Sequence, residues 1–71
     1  MSTTNSGKRY RIVLRGRLGE RFAGAFEGMT LSARRGETVL EGELNDQSQL
    51  FGVLDRARDL AIDVIRVEEL A

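Results

Sequence analysis

Arg9, Arg11, Arg15 and Arg17 are the residues of this chain with the most evident chemistry. Positions two apart share a face of an extended strand, so RYRIVLRGRL sets its guanidinium groups on one side. Tyr10, Ile12, Leu14 and Leu18 fall on the other. A stripe of that kind suits anions, either the phosphates of a nucleic acid or the carboxylates of a protein. Holding single-stranded RNA on an open sheet also requires aromatic rings on which bases can stack. The outward positions here carry none, because Tyr10 belongs to the apolar side. Eleven Lys and Arg are balanced by eleven Asp and Glu, so no bulk field draws the chain to nucleic acid or to a membrane surface. Neither is expected as a partner. The charges are nevertheless segregated: Lys8 to Arg21 holds six basic residues and one acid, and Glu37 to Asp46 holds four acids and no base.

Other constellations offer less. The chain has no histidine and no cysteine, which removes the commonest general base, the commonest metal ligand and any disulfide. Ser32 and Ser48 therefore have no base to activate them. Asp55, Asp59 and Asp63 fall four residues apart, but Asp63 lies in a turn and Arg56 and Arg58 stand close by, so pairing on a helix surface is the expected role. No catalytic residue, metal or cofactor is expected, and the chain is read as a non-enzyme.

The elements that position these residues follow from periodicity. A first strand spans about residues 9–18. GERFAGAFEG reads as a short helix, with Phe22 and Phe26 spaced i, i+4 and Gly28 as its stop. MTLSARRGETVLEGEL reads as two strands around a tight turn at Arg35-Gly36. Leu31, Ala33, Leu40 and Leu44 face in, and Glu37, Val39, Glu41 and Glu43 face out. NDQSQLFGVLDRARDLA is the clearest helix, with Asp46 as N-cap and Gln49 completing a capping box. Its apolar stripe is Leu50, Leu54, Ala57 and Ala61, widened by Phe51, Val53 and Leu60, and all three phenylalanines are expected core anchors. IDVIRVEE closes the chain as a strand, with Ile65 and Val67 on one face and Val64 and Arg66 on the other.

The order β-α-β-β-α-β predicts an α+β fold of ferredoxin-like type, the split βαβ. It comprises a four-stranded antiparallel sheet, ordered 4-1-3-2, with two helices on one face. Residues 1–7 are expected to be a disordered leader and residues 8–71 a single domain. The leader has no apolar h-region and no apolar run approaches membrane length, so the cytoplasm is the expected location. In this topology the arginines lie on the bare face beside the glutamates of strand three, which should neutralise them. Val13, Val39 and Val64 would form an apolar centre on that face, ringed by Arg11, Arg15, Glu41 and Arg66. A chain of 71 residues without covalent staples has a small core, so self-association through this face, as a homodimer, is expected to stabilise it. The functional expectation is a protein-interaction or regulatory module whose partner is a second copy, or a protein encoded nearby. ACT domains share the topology and bind small ligands near the first strand-to-helix loop. On that alternative Gly16, Arg17, Gly19 and Glu20 would form a ligand site.

DQSQLFGVLDRARDLAIDVIRVE, with RGRL and AFEGMTLS before it, resembles small actinobacterial proteins that share a D-Q-x-x-L-x-x-x-L-x-R-x-R-D-L pattern. The resemblance covers most of residues 9–68 and implies a bacterial origin and a common fold, with no chemistry attached. A glycine usually follows Asp-Leu in that pattern, and Ala61 stands there in this chain.

Overall fold

The computed structural model describes residues 8–26 and 28–70; the expected leader lies outside them. In chain order the elements are β1 (Lys8–Arg15), a 3-10 helix (Glu20–Phe26), β2 (Met29–Arg34), β3 (Glu37–Leu44), α1 (Gln47–Asp59) and β4 (Val64–Leu70). The strands form one antiparallel sheet in the order β2-β3-β1-β4. The sheet and its strand order match the sequence reading, but the ferredoxin-like fold with two helices does not stand. The architecture is four antiparallel strands with a single α-helix, and a 3-10 turn occupies the place of the first helix. Gly24 lies in the middle of the segment and costs a helix about 1 kcal/mol relative to alanine, and so short a segment cannot offset the cost of nucleation. The chain closes instead through a tighter bond, Phe22 N–H to the Gly19 carbonyl at 3.0 Å. Phe26 is still buried as an anchor.

Ile12 and Leu14 of β1, Leu40 of β3, Phe26 and Ala57 of α1 make the core, with Leu18, Met29, Leu31, Leu50, Val53, Leu54 and Ile62 packed around it. Full burial of a side chain such as Leu14 or Leu40 contributes about 1.5–3 kcal/mol. Three members of the expected stripe on α1 are misplaced: Phe51 is 56% exposed and Leu60 38%, and Ala61 is exposed beyond the helix end at Asp59. One narrow face of a 13-residue helix meets the sheet, and Leu50, Val53, Leu54 and Ala57 occupy it. Ala33 is likewise exposed, near the turn end of the edge strand β2.

The connections follow local chemistry. Arg35 (φ 51°) and Gly36 (φ 79°) form the two-residue hairpin turn between β2 and β3, with Arg34 facing Glu37. At the start of α1 the Asp46 carboxylate accepts from Gln49 N–H at 2.9 Å, and the Gln49 side-chain oxygen accepts from Asn45 N–H at 2.6 Å. At its end Ala61 N–H donates to Arg58 and Ile62 N–H to Ala57, both at 2.9 Å, the paired bonds of a Schellman closure. That closure puts Ala61 at φ 60°, where glycine is the usual residue. β1 stops at Arg15 because Gly16 turns away, so Arg17 lies beyond the strand and outside the arginine row.

Gly42, in the middle of β3, sits where an added Cβ would lie 2.8 Å from the Gly28 carbonyl oxygen and 3.1 Å from Met29 Cα. Both obstacles are backbone, so Gly42→Ala should destabilise the protein by about 1–3 kcal/mol in urea denaturation. Ala61→Gly should raise stability by about 1 kcal/mol in the same measurement, by removing left-handed strain at an exposed position.

Candidate functional site

The strand register decides which charges meet. Across β1 and β3, Arg9 faces Glu43, Arg11 faces Glu41, Val13 faces Val39 and Arg15 faces Glu37. On the other side Arg11 faces Glu68 and Val13 faces Arg66. Arg11 is the centre of the resulting network. Its Nε donates to Glu41 Oε2 at 2.8 Å and its Nη1 to Glu68 Oε1 at 3.5 Å, joining three strands through one guanidinium. The hydrogen bond and charge of Glu41, followed by the weaker pull of Glu68, raise the Arg11 pKa above its ordinary value. Arg9 leans diagonally to Glu41 at 3.8 Å, and Arg66 reaches Glu68 within its own strand at 3.4 Å. Lys8 pairs with Glu69 at 3.6 Å, and Arg15 turns to Asp63, also at 3.6 Å. Each exposed pair alone contributes little, but together they answer the arginine stripe from within the molecule.

The network also covers what lies between its members. Val13 is 2% exposed and Val39 6%, although α1 and the 3-10 helix lie on the other face of the sheet. The aliphatic stems of long charged residues on neighbouring positions shield such a row while their heads stay in water. Of the residues expected at an interface on this face, Arg11, Val13, Val39, Glu41 and Arg66 come together, and Arg15 closes the end of the row. Val64 does not join them. An irregularity in β4 puts Val64 opposite Leu14 and Arg66 opposite Val13, so the two lie on different faces. The exposed apolar surface lies at the sheet edge instead: Val64, Ile65 and Val67 of β4 are 37–39% exposed.

The loop offered as a ligand site is held by a residue that the sequence reading passed over. Thr38, fully buried on β3, donates through its hydroxyl to the Gly16 carbonyl at 2.8 Å and accepts from Leu18 N–H at 3.0 Å. One of the amides that could have met an anion is thus engaged within the protein. Gly16 is half-buried at the bend, and Arg17 and Gly19 are exposed. The signal was a hydroxyl on the otherwise apolar inward side of β3, since a buried polar group must have a partner. A cleft of about 410 Å³ opens between the 3-10 helix and α1, lined by Gly24, Phe26, Leu44, Gln49, Gly52 and Arg56 among others. Of the three spaced aspartates, Asp55 pairs with Arg58 at 3.2 Å and Asp63 with Arg15, as helix-surface and loop charges do. Among the described residues no cluster of acidic side chains could hold a metal ion, and no helix is long and apolar enough to cross a membrane.

Thr38→Val preserves shape but leaves the Gly16 carbonyl and the Leu18 amide without their partner. It should cost about 1–3 kcal/mol in thermal or urea unfolding, and hydrogen exchange at Leu18 should accelerate while exchange in α1 changes no more than global stability does.

Neither the curated proteins nor the solved structures gave a match to this chain. A family model does match, over residues 9–68, from the second residue of β1 almost to the end of β4 and so across every element described above. By that match the chain belongs to the family described as a domain of unknown function (DUF8691).

Proposed function

We propose that this chain is a small, non-enzymatic protein-interaction module of accessory or regulatory type, and that it self-associates. The observation that carries the reading is the collection of exposed apolar side chains at one edge: Val64, Ile65 and Val67 of β4, with Phe51 on the helix above the sheet. Val13 and Val39 of the open face have almost no accessible area left to bury, so the drive for association comes from the β4 edge rather than from the middle of that face. The charge network supports a protein partner over a polyanion. A phosphate chain would have to displace Glu41 and Glu68 from Arg11 and would meet their charges on the same face. A small-ligand site at Gly16 to Glu20 has weaker support, because Thr38 already holds that loop.

Light scattering from micromolar to millimolar protein tests the reading. The chain should form a dimer within that range, and Val67→Asp should weaken it by about tenfold or more, since it puts a carboxylate among apolar groups at the edge. A wild-type chain that stays monomeric at millimolar concentration would overturn it.

A further inference from the structure

Resting on that reading, we propose the geometry of the self-association: two copies pair through β4, antiparallel, about a two-fold axis at Val67, joining two four-stranded sheets into one of eight strands. β4 is an edge strand with β1 on one side only, so its other side presents unpaired backbone donors and acceptors. A two-fold axis that pairs two antiparallel edges stands perpendicular to the sheet and keeps both open faces on the same side. Directly opposed residues must then share a face, and the register can slide only in steps of two.

That restriction leaves few choices, and charge separates them. An axis at Arg66 sets two arginines against each other, and an axis at Glu68 sets two glutamates against each other. The axis at Val67 sets Arg66 against the partner's Glu68, and Glu68 against the partner's Arg66. Opposite charges facing across a strand pair are favourable and like charges are not. In the Val67 register, therefore, the ladder from Glu41 through Arg11 to Glu68 continues into the second subunit. Val67 meets the partner's Val67 on the helix side of the sheet, where it lies opposite Ile12 in its own chain. Ile65 falls opposite the partner's Glu69, whose carboxylate reaches Lys8 within its own chain.

The helix contributes on the other face of the sheet. Gln49, Gly52, Val53 and Arg56 turn one flank of α1 towards the cleft beside the 3-10 helix. Phe51 lies on the opposite flank, the side on which β4 lies, so the backbone seam is bordered by exposed apolar surface. The second edge, β2, lacks these features: its only charge is Arg34, so no register of β2 on itself gives opposite charges.

Two single variants of the full chain test the register. Arg66→Glu alone places like charges across the axis twice, as does Glu68→Arg alone, and each should weaken self-association by about tenfold or more. Mixed in equal amounts they face each other with opposite charges at both positions, so the mixture should recover a dimer that neither forms alone. Circular dichroism establishes that each is folded. The chain has no cysteine, so Val67→Cys supplies a single thiol at the axis, and oxidation should give a covalent dimer even if either charge variant fails to fold. Folded variants whose mixture stays monomeric beside a dimeric wild type would overturn the register while leaving self-association intact. So would failure of Val67→Cys to cross-link in a wild-type-like dimer. A wild type that never associates would overturn both.

Discussion

β1 has two neighbours to satisfy at once, and its register against them organises everything else in the molecule. The pairing that sets Ile12 opposite Leu40 and Val67 also sets Arg11 opposite Glu41 and Glu68. A slip of one residue on either side would move Ile12 and Leu14 out of the core and carry the arginines into it. The apolar half of the strand and the charged half therefore enforce the same register by independent means: burial on one face, an ion-pair network on the other. In a chain of 71 residues, with no disulfide to hold it, agreement between two weak specifications substitutes for a large core.

Around that register the remaining structure consists of accommodations. Thr38 spends a fully buried position of β3 on hydrogen bonds rather than on packing, and in return the loop after β1 is held against the sheet. Gly42 leaves room for the Gly28 carbonyl to approach within a distance that no side chain could share, so β2 can lie close beside β3. Ala61 accepts a left-handed conformation so that the last turn of α1 closes and Ile62 comes down onto Ala57 and the core around it. Each departs from the best local choice for the sake of a contact distant in sequence, as small proteins with little apolar area must.

The two surfaces left over differ in kind. The open face of the sheet is occupied by its own charges, with Val13 and Val39 covered beneath them and Arg11 answered by Glu41 and Glu68. The β4 edge has a neighbouring strand on one side only, and its apolar residues are exposed beside one arginine and two glutamates. Edge strands are normally guarded against indiscriminate pairing by such charges. On β4 the guard is also selective, because the same charges that reject most registers favour one.

Much of this was legible in the residues alone. Period-two alternation set Ile12 and Leu14 against the arginines, Arg35-Gly36 announced a hairpin turn, and Asp46 with Gln49 marked the start of α1; all are short-range signals, read within a few positions. The neutralisation of Arg11 by glutamate was also foreseeable, because a row of acids lies on the one strand that the topology sets beside it. The sequence could not settle outcomes that depend on competition between distant parts. Phe22 and Phe26 have helical spacing, but their glycine-rich segment gains more by closing as a 3-10 turn that buries Phe26 than by completing an α-helix. Phe51 has the composition of a core residue, yet α1 meets the sheet along a stripe too narrow to include it. Val64 was turned to the other face by an irregularity in the β1–β4 pairing that alternation cannot anticipate, and Val13 and Val39 were covered by side chains from neighbouring positions and strands. The sequence by itself determined which residues could face inward. Only the tertiary structure decided which of them found cover, because burial depends on the neighbours that the whole chain brings into place.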